Sequence, residues 1–322
     1  MNYARPWKSF GEQLELLKAR GMAVDDEPAA ASYLSRIGYY RLSAYWYPFR
    51  VWSMLQEAGT GRITHQRTDA FQDGTRFVDA VNLYLFDKKL RLIALDALER
   101  IEVALRVDIA YLLGERNTFA HLDPAELHPG FAGKLQRDGR TAHEVWRDRY
   151  QQLVARSKEE FVKHYHQKHG RDLPIWVAIE VWDFGTMSQL FAMMQVADKA
   201  RIAAKYGISD WRVFQSWLRS LSYLRNLVAH HSRLWNRNVV EQPKLPAAGE
   251  IAWCDAFAGK TDLLAKSFLL LAICRHMVRR ICPGTAWHLR VADHLRSFPE
   301  QRVAQPRSVA DMGTPPGWES WW

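Results

Sequence analysis

The stretch FVDAVNLYLFDKKLRLIALDALERIEVALRVDIAYLL, residues 77–113, contains neither glycine nor proline. Leu83, Phe86, Leu90, Ile93, Leu98, Ile101, Leu105, Ile109 and Leu112 recur along it three or four residues apart with one step of five, the spacing of one buried helical face. A helix of this length, closed by Gly114, reaches about 50 Å, so several other helices must pack along it. The reading is an all-α protein built around one long helix.

Working outward, the N-terminal side reads as short helices. Ser9 and Glu12 have capping-box spacing ahead of Leu14, Leu16 and Leu17. Asp25-Asp26-Glu27-Pro28 is a second helix start, and that helix should end near Gly38. The aromatic segment Tyr39 to Pro48 follows, and residues 59–74 are polar enough for a loop or a small hairpin. On the C-terminal side, residues 116–139 read as a loop. Helices are expected over 141–168, 175–194, 197–206, 210–234 and 261–281, and an extended Pro/Gly/Trp-rich course from Pro283. These readings divide the chain into an N-terminal helical region (1–75), a helical core (76–298) and an extended Trp-rich tail (299–322). There is no alternating βα pattern and no glycine-rich phosphate loop.

Composition narrows the function classes. The chain has 322 residues, and 48% hydrophobic content is enough for a real core. Three cysteines without a C-x-x-C pair exclude a disulfide scaffold and point to a reducing cytoplasm. The polar, aromatic start is no signal peptide, and the greasiest run, Phe268 to Cys274, is too short to span a bilayer. The protein is therefore expected to be cytoplasmic and off the membrane. The net charge of +9 is unevenly placed. Residues 199–237 hold eight Lys/Arg against one acid, residues 134–171 hold ten against five, and the long helix from Val81 to Tyr111 is balanced. A concentrated basic stretch is the footprint expected for a polyanion.

That stretch contains the most informative segment, Trp217 to Arg237. On a helical wheel with Arg225 at zero, Asn226 falls near 100°, His230 near 140°, and Arg219 near 120°. Arg233 and Arg237 share this arc if the helix continues that far. Leu221, Leu224, Leu227 and Val228 occupy the opposite arc. Arginine offers phosphate a fixed charge and a planar donor fork, and histidine gives or takes a proton near neutral pH. The pair is the minimum for cutting RNA without a metal or other cofactor. On helical geometry alone, an exposed Arg, Asn and His ordinarily form a solvated face.

Arg225-Asn226-x-x-x-His230 resembles the HEPN ribonuclease motif. The string from Ser222 to Arg237 resembles the signature of the Abi-like abortive-infection family (AbiD/AbiF type). So do Ile37 to Tyr45, Tyr84 to Arg106, Leu173 to Gly185 and Met312 to Trp318, in that family's order. The resemblance implies an all-α HEPN bundle that forms a homodimer, takes RNA as ligand and serves in phage defence. Related members pair with small non-coding RNAs. It implies phosphate binding for Arg225, acid–base work for His230 and positioning for Asn226. Arg219, Arg233, Arg237 and His231 around the motif, with Arg41 in the aromatic segment, are candidate RNA contacts. His231 projects toward the edge of the apolar arc and ranks below His230. A non-catalytic dimer holding a structured non-coding RNA, or a toxin held by a modifying antitoxin, would share these features.

Other clusters have plainer readings. Arg116 to His121 also matches Arg-polar-x-x-x-His but sits between Gly114 and Pro124, as a structural turn. His164, His166 and His169 lack a cysteine or carboxylate at metal-ligand spacing and read as a basic helix end. Asp87–Arg91 and Glu102–Arg106 are ordinary i, i+4 pairs. The aromatics of residues 39–46 are core or interface more readily than stacking platforms, and the terminal tryptophans should pack on the fold.

Overall fold

A computed structural model describes residues 6–56 and 63–322. The chain is all-α apart from one hairpin. α1 (Phe10–Ala19) starts at the expected capping box, with the Ser9 amide donating to Glu12 Oε2 at 2.7 Å. α2 (Glu27–Ile37) ends at Gly38, where φ is +87°, and α3 (Tyr39–Trp46) follows at once. The antiparallel strands β1 (Arg50–Gln56) and β2 (Ile63–Phe71) settle the loop-or-hairpin alternative; residues 57–62 between them lie outside the described residues.

α4 (Phe77–Gly114) is the expected long helix. Its 38 residues extend about 57 Å. One flank is buried from Phe77 to Leu113, and each fully buried leucine there contributes about 1.5–3 kcal/mol. Along the chain come α5 (Pro129–Ala132), α6 (Ala142–Arg156), α7 (Glu160–His169), α8 (Ile175–Ala178), α9 (Phe184–Met193), α10 (Val196–Lys205), α11 (Trp211–Ala229), α12 (Thr261–Leu264), α13 (Ser267–Ile281) and α14 (Trp287–Arg296). α3, α8, α11, α13 and α14 all pack on α4, so one continuous core runs its length.

Three expectations are corrected here. The single helix expected over 175–194 breaks, because Asp183 caps a new helix through the Thr186 amide (2.7 Å) and places Gly185 in its first turn. Residues 261–281 form two helices rather than one. The chain after Pro283 is not uniformly extended: α14 buries Trp287, Val291 and Leu295, and the Trp287 indole N–H reaches the Ile93 carbonyl at 2.8 Å. The tail then folds back on the core through short 3-10 turns. Trp318, Trp321 and Trp322 surround Phe268, and the Arg275 guanidinium donates to the Trp321 carbonyl at 2.7 Å. Among the described residues, no helix is long and apolar enough to cross a membrane.

Candidate nucleic-acid interface

α11 carries the motif. Its inner face is the predicted apolar arc, buried from Val213 to Val228. The helix stops at Ala229, one residue before His230, rather than running on to Leu234. The amide of His231 bonds to the Val228 carbonyl (3.2 Å) and that of Ser232 to the Leu227 carbonyl (2.9 Å). These two bonds form a Schellman close. Glycine usually occupies the left-handed position of that motif; here it is His231, with φ at +56°. A side chain in this conformation costs about 1–2 kcal/mol. His231→Gly is therefore expected to raise the unfolding free energy by about 0.5–1 kcal/mol, the entropy of the unfolded glycine offsetting part of the relief. Urea denaturation measures it, and a loss of stability would mean that the imidazole contributes a contact of its own.

The early stop changes where the flanking cations go. Arg233 turns inward and donates to the Ala44 carbonyl, and burial lowers its pKa. Arg237 Nε donates to the Tyr223 hydroxyl (3.2 Å), Arg41 to the His231 carbonyl (2.7 Å), and Arg219 pairs with Glu241 (2.7 Å). In the same basic stretch, Lys199 is buried over the Trp211 ring, bonded to the Ala192 carbonyl. Of the basic stretch, Lys199 and Arg233 are thus spent inside the fold, while Arg201, Lys205, Arg212 and Arg219 stay exposed. α3 braces the turn after the motif through Arg41 and Ala44, which gives the aromatic N-terminal block a structural task.

Asp87 fixes the same turn from below. It is fully buried on α4 and accepts from the Leu234 amide (3.1 Å), the Trp235 amide (2.6 Å) and the Tyr45 hydroxyl (2.6 Å), and it pairs with Arg91. Burial pushes its carboxyl pKa up, against the pull of Arg91 and the hydrogen bonds. The sequence shows only the Asp87–Arg91 spacing; nothing local points to residues 234 and 235.

Arg225, Asn226 and His230 meet different surroundings. Arg225 is half-buried, its Nε 3.8 Å from Glu102 Oε2. Glu102 also pairs with Arg106 (2.7 Å), which reaches on to Glu180 (3.2 Å) and the Trp182 carbonyl (2.8 Å). The pair read as an ordinary helix pair therefore also sets a carboxylate of α4 within ion-pair range of the motif arginine. Asn226 and His230 are exposed, and their side chains have no hydrogen-bond partner among the described residues. Asn226 lines a cavity of about 350 Å³ with Ser222, Tyr223, Arg219 and Glu241. The site is thus one tethered cation beside two uncommitted polar groups.

The second Arg-x4-His match is structural. Arg116 forks onto Asp198 (2.7 and 2.9 Å) and Glu126 (3.0 Å). His121 is fully buried among Trp146, Tyr150 and Trp182. His164, His166 and His169 are exposed on α7, and among the described residues no three His, Cys, Asp or Glu side chains converge as metal ligands would.

The chain thus presents an α-helical fold around one long helix, with a surface Arg-Asn-x3-His element closing a helix. Residues 32–236 match the family described as Abi-like protein, and the chain belongs to that family. The matched span takes in the α3 brace, α4 and the whole motif. No curated protein and no solved structure matches the chain.

Proposed function

We propose that this protein is an RNA-binding HEPN-type member of the Abi-like family that serves in abortive-infection defence against phage and cuts RNA without a metal. The observation that carries the reading is the contrast within the motif. Arg225 lies within ion-pair range of Glu102 (3.8 Å), while Asn226 and His230 stand exposed with no side-chain partner among the described residues, Asn226 at the edge of a cavity. The neighbouring Arg41, Arg219, Arg233 and Arg237 are by contrast bonded to protein groups.

The chemistry follows from the groups present. The 2′-oxygen of a ribose attacks the adjacent phosphorus and the P–O5′ bond breaks, leaving a 2′,3′-cyclic phosphate and a 5′-hydroxyl. A neutral imidazole takes the 2′-hydroxyl proton, an imidazolium supplies one to the leaving O5′, and Arg225 stabilises the charge building on the phosphoryl oxygens. Attacking and leaving oxygens lie on opposite sides of phosphorus, so one His230 cannot serve both, and a second copy of the chain would supply the other. α4 offers a surface for that copy beside Glu102 and Arg106. Val103, Val107 and Tyr111 are exposed apolar residues four apart on one side of it, 52–71% accessible, a stripe suited to a protein contact.

Incubation with RNA in EDTA tests the reading. Wild type is expected to cut, and Arg225→Ala and His230→Ala to lose about a hundredfold or more in rate. Cleavage unchanged in both variants would sink the assignment. Light scattering should give a dimer for wild type and a monomer for Val107→Glu; a monomeric, fully active wild type would remove the composite site. RNA that co-purifies and is never cut would instead favour the non-catalytic binding module.

A further inference from the structure

The motif cavity does not end at Asn226. A second cavity, of about 590 Å³, lies between α6 and α9 and shares Gln189 and Ala192 with it. Both follow from the outward line of α9, where Gly185, Gln189 and Ala192 recur at helical spacing while the intervening residues are buried. α6 and α11 pack on the two sides of α9, so its small outward residues form the floor of a valley and the two flanking helices form its walls. At Gly185 the walls close in. A Cβ there would come within 3.6 Å of Ser222 Oγ from the α11 wall and 3.8 Å of Arg149 Nη2 from the α6 wall.

We propose that this valley is the track for a single strand of RNA, running from the Arg225–His230 site over Gln189 to Arg149 and Arg140. The inference rests on the RNA reading above and adds where the chain lies and in which form. The valley has a single helix for its floor and narrows at Gly185, where both walls come within 4 Å of a Cβ, so it suits a strand and not a duplex. Each wall brings cations with donors to spare. Arg149 uses Nε on Thr186 (3.0 Å) and Nη2 on Asp183 (2.7 Å), which leaves Nη1 for a phosphate. Arg219 commits only Nη2, to Glu241, and Arg140 only Nη2, to Asp148 (2.5 Å). Tyr223 at the motif end presents an aromatic ring of the kind on which unpaired bases stack.

Gln189 is the decisive position because it is exposed, belongs to both cavities and has no part in the catalytic site. Lysine and glutamate suit a helix as well as glutamine does, so both variants should fold. The probe is a short, unstructured, fluorescent 2′-O-methyl oligonucleotide, which lacks the attacking hydroxyl and separates binding from cleavage. Anisotropy titrations over a potassium chloride series should show Gln189→Lys binding severalfold tighter, with the slope of log affinity against log salt steeper by about 0.7. Gln189→Glu should bind severalfold more weakly, and Arg296→Glu on α14, which packs on α4 and α13, should match wild type. A hairpin duplex of the same strand should gain nothing from Gln189→Lys. If wild type binds the oligonucleotide and both Gln189 variants stay within twofold of it, the track is wrong and the RNA reading survives. Wild type that binds only the duplex also overturns the track. Wild type that neither binds nor cuts RNA overturns both.

Discussion

Asp87→Ala is expected to cost the fold about 3–5 kcal/mol, the penalty for leaving one half of a buried ion pair uncompensated. The carboxylate is inaccessible to water and so is most of Arg91, so water cannot replace the lost partner. The same change orphans the Leu234 and Trp235 amides and the Tyr45 hydroxyl. Asp87→Asn keeps an oxygen for the two amides and should lose less. Urea denaturation gives the totals. Hydrogen exchange at residues 234 and 235 gives the local effect, and protection there should fall more than within α11. Those amides lie directly beyond His230, so releasing them also frees the motif's C-terminal anchor. A loss below about 1 kcal/mol would mean that the buried pair is not the clasp described.

Acid should destabilise the protein steeply below neutrality, chiefly through His121. Burial, reinforced by the charges of His143 and Arg147, lowers its pKa to about 3. Neither ring nitrogen has a hydrogen-bond partner among the described residues, and the ring is packed against Trp146, Tyr150 and Trp182. An unfolded histidine titrates near 6.5. Above that pH both states are neutral and the full stability is present. Between about 6.5 and 3 the unfolded chain takes up a proton that the native state refuses, so stability falls by about 1.4 kcal/mol per pH unit. By pH 5 this one residue removes about 2 kcal/mol. His143, His276 and His294 are also shifted down by burial, and their losses have the same sign. Denaturation at pH 7 and pH 5 should show the fall, and His121→Phe should flatten it. Equal slopes for wild type and His121→Phe would refute the assignment.

The same histidine shows how far a motif can be read. Arg116–His121 and Arg225–His230 have the same residue spacing, yet His121 is sealed in the core with its arginine committed to Asp198 and Glu126, while His230 faces solvent. Context separates them in part, since only Arg225 lies within an amphipathic helix. Glu102 and Asp87 were legible as helix pairs but not as supports of the motif. Arg219, Arg233 and Arg237 were placed on one arc with the motif. The Schellman close turned Arg233 inward and left Arg237 to reach back to Tyr223, and a histidine in the left-handed position gave no sign of it.

The sequence by itself determined the all-α class, the long helix over residues 77–113, most helix starts and the identity of the Arg-Asn-x3-His element. Those properties depend on residues within about one helical turn of each other, where periodicity and capping act. Tertiary structure alone decided where α11 stops in space, which cations remain available and what holds Arg225. Those answers rest on contacts between residues far apart in the chain: Glu102 to Arg225, Asp87 to Trp235, Ala44 to Arg233. Packing against α4 brings those pairs together, and no local pattern encodes which distant side chain a buried charge will meet.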